Sequence, residues 1–324
     1  MKPRLLVLEL WGLGDLVIAT PFLRAAAEQF SVTLLAKPFA TALRPRLWPV
    51  VDVVPLVAPW TAFRHKYQLW DWPWRELSQL RRRLVAEHFD YGLSARWDPR
   101  DHLALKLAGA RERLGFPRLQ SGRYLTQELI RPEPLAHRLE SWRVAGAALG
   151  LKLPPRPEIF SEPVSRPPVV LVHTGARLPL RVWSLANFQE LVGRLRQKNF
   201  RVQIACDDDQ SAWWQSRGEA VTCPRSIPEL LTAIDQTGVF IGNDSGPGHL
   251  AAACGRPTFT FFGPQLHEWF APLHPASEAF EGKACPYKPC SDYCRFPTPF
   301  CLQDVTVDEV WLRVESFVTR NLGS

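Results

Sequence analysis

One pattern occurs twice in this chain and restricts its fold more than anything else. Arg4-Leu-Leu-Val-Leu-Glu-Leu10 is a short apolar run, followed by the turn Trp11-Gly-Leu-Gly14 and a helical pattern from Asp15 to Gln29; Ser31-Val-Thr-Leu-Leu-Ala36 reads as the next strand. A strand, a helix and a second strand in that order imply a parallel sheet with helices on its faces. The pattern returns as Pro168-Val-Val-Leu-Val-His173, a polar loop, a helix over 185–198 and the strand Arg201-Val-Gln-Ile-Ala205. Between the two copies lie Leu153-Pro-Pro-Arg-Pro157 and the prolines Pro163, Pro167 and Pro168. Such a stretch continues neither a helix nor a central strand, so residues 151–167 read as a linker. The chain is therefore expected to be α/β with two domains, 1–155 and 156–324. Its 324 residues suit two domains of about 100–200 residues each, ample for proper cores.

The second half continues in alternation. Ser226 is placed to cap a helix with Glu229 as its capping-box partner. Val239-Phe-Ile-Gly242 and Thr258-Phe-Thr-Phe-Phe262 read as buried strands, with a compact helix over 247–254 between them. From 307 to 318, Val307, Val310, Trp311, Val314, Phe317 and Val318 share one face at helical spacing. This terminal helix is expected to pack on something already folded, with the first domain as a candidate surface.

The formal net charge is +7, and 31 of the 39 basic residues are Arg. Arg grips phosphate and carboxylate through a planar fork, which points to acidic partners, although codon bias produces the same excess. No apolar run approaches the roughly 18 residues of a membrane-spanning helix. Glu9 and Asp15 interrupt the apolar start, unlike a signal peptide. A cytoplasmic protein is expected. Nucleic acid is the weakest partner, because no binding module accompanies the charge.

The densest motif is Gly242-Asn-Asp-Ser-Gly-Pro-Gly-His-Leu-Ala-Ala-Ala253, directly after a strand. Ser245 and Gly246 permit a tight turn and Pro247 suits the first helical position. The unsatisfied N–H groups of that helix start form an anion site, with His249 in the first turn and Asp244 at the carboxyl end of a strand. Asp15 follows the Gly12-Leu-Gly14 turn, where it reads either as a helix-capping carboxylate or as a base at a site. A dinucleotide fingerprint would need a third glycine at position 17, which is Val17.

These strings resemble bacterial ADP-heptose:lipopolysaccharide heptosyltransferases, glycosyltransferase family 9. Asp244 to Ala253 followed by Gly255-Arg-Pro-Thr-Phe-Thr-Phe-Phe-Gly-Pro264, the opening Gly14-Asp-Leu-Val-Ile-Ala-Thr-Pro21, and Arg181-Val-Trp-Ser-Leu-Ala-Asn-Phe188 all look like that family's signatures. The resemblance implies the GT-B architecture, two Rossmann-like domains facing each other across a cleft, with the acceptor on the first and the nucleotide-sugar donor on the second. It implies Asp15 as general base of an inverting transfer of heptose from ADP-heptose to a lipopolysaccharide core acceptor. It further implies a donor site of Gly14, Thr174, Arg181, Asp244, Ser245, Gly246 and His249, with no cofactor required for catalysis. Arg181 stands where the family commonly has Lys, which keeps the charge and adds bidentate contact. One carboxylate of Asp207-Asp-Asp209 is placed to meet a ribose hydroxyl. Two other functions stay open: a protein heptosyltransferase of the autotransporter-modifying type, and a non-catalytic nucleotide-binding module.

Cys285, Cys290, Cys294 and Cys301 crowd into a short segment. They read either as a structural zinc or iron site or as free or oxidised thiols, without the CxxC pairs or His of a strong zinc motif. Trp60 to Trp74, with Arg64, His65, Lys66, Arg75 and Arg81-Arg-Arg83, interleaves aromatic and basic residues. That composition suits sugar stacking, peripheral contact with an anionic inner-membrane face, or a solvated helix with Trp anchored in the core.

Overall fold

The computed structural model describes residues 2–62, 68–162, 164–290 and 293–323. The chain divides into two compact units, Met1–Pro154 and Pro155–Ser324. In the first unit the elements are β1 (Arg4–Glu9), α1 (Leu13–Ile18), α2 (Thr20–Gln29), β2 (Ser31–Ala36), α3 (Ala40–Leu47), β3 (Asp52–Pro55), α4 (Trp74–Ala86), β4 (Tyr91–Ser94), α5 (Pro99–Leu107), β5 (Glu112–Gly115), β6 (Gln127–Glu128) and α6 (Arg138–Ala148). In the second they are β7 (Val169–His173), α7 (Leu185–Gln197), β8 (Arg201–Ala205), α8 (Asp208–Gln215), β9 (Val221–Thr222), α9 (Ile227–Asp235), β10 (Val239–Asn243), α10 (Gly246–Ala253), β11 (Thr258–Phe262), α11 (His267–Phe270), β12 (Glu278–Glu281), α12 (Phe300–Gln303) and α13 (Val307–Leu322).

Each unit holds one six-stranded sheet, in the orders β3-β2-β1-β4-β5-β6 and β12-β11-β10-β7-β8-β9. All the pairings are parallel. Helices cover both faces of such a sheet, which is why its central strands β7, β10 and β11 are mostly apolar and are buried along their whole length. In both units the strand order reverses beside the first strand, between β1 and β4 and again between β7 and β10. The carboxyl ends of strands at such a reversal open onto the crevice where α/β sheets bind ligands.

Two local features depart from the periodicity. The single helix expected over 15–29 is broken at Ala19 into α1 and α2, because Pro21 lacks an N–H and its ring opposes the carbonyl of Val17. Helix α13 begins at a capping box between Thr306 and Glu309. Its face of Val310, Val314, Phe317 and Val318 is buried with Val170, Phe188 and Phe259 in the second unit's own core. The apolar stripe considered for the first domain is thus covered within the second, where α7 and β10 lie alongside it.

Candidate functional site

The first unit's reversal point gathers charge around Asp15. Gly12 caps α1 in an extended conformation, and its N–H donates to Asp15 Oδ2 at 3.1 Å. A Cβ on Gly12 would stand 3.1 Å from that oxygen, so the turn is closed tightly enough to favour glycine. The other carboxylate oxygen is paired with Arg96, which follows β4. Arg96 Nε lies 3.7 Å from Glu9 Oε2, and its guanidinium sits 5.6 Å from the ring centre of Trp11. Glu9, at the end of β1, is only 3% exposed. Burial pushes its carboxyl up to about 7 against the opposing pull of Arg96. Burial works against the Arg96 charge too, but Asp15 and Glu9 outweigh it and raise its pKa. A narrow cavity here is lined by Glu9, Asp15, Arg96, Trp97, Arg138 and Trp142. Arg138 stands 4.7 Å from the Trp97 ring centre, and burial followed by repulsion from Arg96 brings its pKa down to about 10.

The second unit's reversal point is built from the loops after β7 and β10. Arg181 Nη1 donates to Asp244 Oδ2 at 3.1 Å. Ser245 is the extended cap residue of α10, Gly246 its first residue, and buried His249 lies in its first turn. Among the described residues, the Ser245 hydroxyl and Arg181 Nε are buried without a hydrogen-bond partner. A guanidinium, a hydroxyl, an imidazole and a helix N-terminus therefore converge, which is the chemistry of an anion site. Glycine at 242 lets the strands approach here, since a Cβ would meet the His173 carbonyl at 2.6 Å. Burial pushes the His173 imidazole down to about 4.

Thr174 is turned inward at the end of β7. The residue is fully buried; its hydroxyl donates to Gln210 at 2.7 Å and accepts from Trp214 Nε1 at 3.3 Å. Its carbonyl accepts from Asn243 Nδ2 at 2.9 Å and Gln210 Nε2 at 3.2 Å. These contacts tie the start of the loop to α8 and to the end of β10. Gly14 stands in the first turn of α1 beside Asp15, in the first unit. Asp207 caps α8 and accepts the Ala176 N–H, and Asp208 pairs with Arg225 at 3.0 Å.

Sequence reasoning missed Glu9, Arg96, Arg138 and Asn243. Asn243 Oδ1 accepts from the Trp183 N–H at 2.9 Å, so both ends of the 174–183 loop are tied to the end of β10. An amide closing a buried strand is a recognisable signal, since a buried amide needs backbone partners. No local signal ties Arg96 to Asp15.

Among the described residues, no group of three or more His, Cys, Asp or Glu is placed to hold a metal ion. Cys285, Cys290, Cys294 and Cys301 thus do not assemble as the tetrahedral site considered above, and all are free thiols. Cys301 is buried in α12, with its thiol pushed up to about 11 by burial. Cys290 Sγ faces the Tyr287 carbonyl at 3.6 Å, and Cys294 Sγ accepts the Phe296 N–H at 3.5 Å. In the Trp-rich stretch, Trp60 is buried and donates to Asp101 at 2.9 Å, whereas Trp70 and Trp74 are 78% and 54% exposed. Arg64, His65 and Lys66 lie outside the described residues, as does Pro163 of the linker.

The family model of glycosyltransferase family 9 (heptosyltransferase) matches residues 111–297, more than half of the chain. Lipopolysaccharide heptosyltransferase 3 of Escherichia coli K12 is 30% identical over 113 residues, covering 32% of this chain and 33% of that protein. The chain thus matches about a third of the length of that curated relative. Among solved structures, E. coli heptosyltransferase WaaC with ADP superposes with a TM-score of 0.74 at 16% identity, over 97% of this chain and 99% of that one. A family 9 glycosyl transferase from Veillonella parvula reaches 0.75 at 15% identity, over 99% and 98%. At such identity the likeness speaks for the fold, which is the GT-B fold of the heptosyltransferases.

Proposed function

The chain belongs to glycosyltransferase family 9, and from that premise we propose that it is an inverting glycosyltransferase moving heptose from ADP-heptose to a lipopolysaccharide core acceptor. The observation that carries the reading is the Arg181–Asp244 pair at the start of α10, beside the unpartnered Ser245 hydroxyl. Arg181, His249 and the α10 N-terminus stabilise the departing diphosphate by fixed charge and dipole. Asp15 takes the proton from the acceptor hydroxyl as that oxygen attacks the anomeric carbon. The transition state has oxocarbenium character, as in other glycosyl transfers. Binding of ADP and of ADP-2-deoxy-2-fluoro heptose by E. coli WaaC supports the choice of donor. No metal is assigned a part in the chemistry.

No described helix is long and apolar enough to cross a membrane. The reading includes a cytoplasmic enzyme touching the inner face of the membrane peripherally. Exposed Trp70 and Trp74, with Arg81 and Arg82 on the same face of α4 as Trp74, support that contact.

The deciding experiment is Asp15→Ala, assayed with ADP-heptose and heptose-deficient lipopolysaccharide. Transfer should fall by about 10²–10⁴-fold, the usual worth of a positioned base, with ADP affinity unchanged. Near-normal transfer would remove Asp15 from this role.

A further inference from the structure

We propose that Arg96 is a positioning residue for Asp15, itself held in place by buried Glu9, so that the three form one chain of ionic contacts aiming the carboxylate at the acceptor. The inference rests on the reading of Asp15 as general base and adds to it the residues that make that base usable.

Asp15 lies in the short helix α1, immediately after a glycine turn, and one of its oxygens is engaged by the Gly12 N–H. Arg96 engages the other oxygen, from a different strand end. Its guanidinium is itself constrained by Glu9 Oε2 at 3.7 Å and by the Trp11 ring at 5.6 Å. Glu9 Oε1 in turn accepts the Trp11 N–H at 3.3 Å. Each member is thus fixed by contacts from separate elements, the arrangement that holds a reacting group within a narrow range of angles.

A structural role alone gives a poor account of Glu9. Burying a carboxylate and a guanidinium rarely stabilises a fold more than apolar residues of similar volume would. Here the buried carboxylate closes β1, directly after the buried apolar run Leu5–Leu8. The charged groups that act on this site include Glu9 on β1, Arg96 after β4 and Arg138 on α6, with Asp101 on α5 acting on Glu9 and Arg96 from behind. Arg96 alone among them pairs with both Glu9 and Asp15.

The test compares Arg96→Gln, Arg96→Lys, Glu9→Gln and Asp15→Asn for transfer from ADP-heptose to heptose-deficient lipopolysaccharide, for ADP binding and for thermal stability. Arg96→Gln should lower kcat about 10–100-fold, the range found when partners that orient a reacting site's groups are removed, with KM for the donor and ADP affinity unchanged. The acid limb of its pH profile should move upward, because a neighbouring cation favours the ionised carboxylate. Arg96→Lys should recover part of the rate, and Glu9→Gln should show the same change in weaker form. Wild-type kcat and an unmoved acid limb in folded Arg96→Gln, or in Arg96→Lys and Glu9→Gln should Arg96→Gln not fold, would overturn the proposal. Asp15→Asn separates the failures: if it retains transfer, the base reading falls; if it is inactive while the Arg96 and Glu9 variants match wild type, only the positioning role falls.

Discussion

Arg181 and Asp244 stand 63 positions apart in the chain, yet their side chains meet at 3.1 Å. They do so because β7 and β10 are neighbours in the second sheet, each ending in the loop that carries one of the pair. The guanidinium keeps donors beyond the one given to Asp244, and it stands at a helix start whose unsatisfied N–H groups suit an anion.

Arg181→Ala should therefore weaken ADP binding about 10–100-fold, corresponding to the roughly 1.5–3 kcal/mol of a hydrogen bond to a charged group. Arg181→Lys should recover part of that loss, since the charge survives without the fork. Titration calorimetry with ADP reads both. Unchanged affinity in Arg181→Ala would detach this residue from the diphosphate.

Asn243 ties two backbone groups, the Trp183 N–H and the Thr174 carbonyl, the second of which it shares with Gln210. Asn243→Ala leaves the Trp183 N–H and one lone pair of the Thr174 carbonyl without their amide partners. Stability should fall by about 1–3 kcal/mol, the cost of leaving the buried Trp183 N–H unsatisfied, because the Thr174 carbonyl keeps its bond from Gln210. ADP affinity should fall with it, because the loop bearing Arg181 is released. Urea unfolding and ADP titration together check this; a stable variant with normal ADP binding contradicts it.

Acid should destabilise the second unit before carboxylates titrate extensively. Burial holds His173 and His274 at about 4, below the ordinary value of 6.5. As the pH falls through 6.5 the unfolded chain takes up protons that the folded one refuses, so stability is complete above 6.5 and is lost progressively toward pH 4. For fully buried His173 a depression of that size is worth roughly 3 kcal/mol. Denaturant melts at pH 7.5 and 5 should show the loss. His173→Phe, which keeps a flat ring against Phe240, should reduce it, and an equal loss in that variant would assign the acid sensitivity elsewhere.

The exposed Trp70 and Trp74 with Arg81 and Arg82 should bind vesicles containing anionic lipid and ignore neutral ones. Replacing both arginines by Glu should weaken co-sedimentation about tenfold or more, since each basic residue near an anionic surface contributes around 1 kcal/mol. Equal binding to neutral and anionic vesicles would contradict the electrostatic part of this contact.

Protein purified without a histidine tag should carry no stoichiometric zinc or iron, and chelator should leave transfer unchanged. One full equivalent of bound metal would show that the four clustered cysteines assemble in solution as a ligand set.

Much of this molecule can be read locally. The apolar runs of β1, β7, β10 and β11, the Ser226–Glu229 cap and the proline at the start of α10 all act over a few residues, and each stands where periodicity and capping chemistry put it. The strand–turn–helix segment over 239–253 is legible for the same reason, since it is one continuous stretch of chain. Arg96 and Thr174 are different. Arg96 meets Asp15 only because β4 lies against β1, a choice made by the packing of the whole sheet, which no residue between 15 and 96 announces. Thr174 has a loop residue's sequence surroundings, but Gln210 and Trp214, brought alongside by α8, turn its hydroxyl inward. Periodicity records whether a residue is buried within its own element. Which distant element covers it, and whether a polar side chain faces a ligand or the core, depends on long-range packing that a linear pattern does not carry.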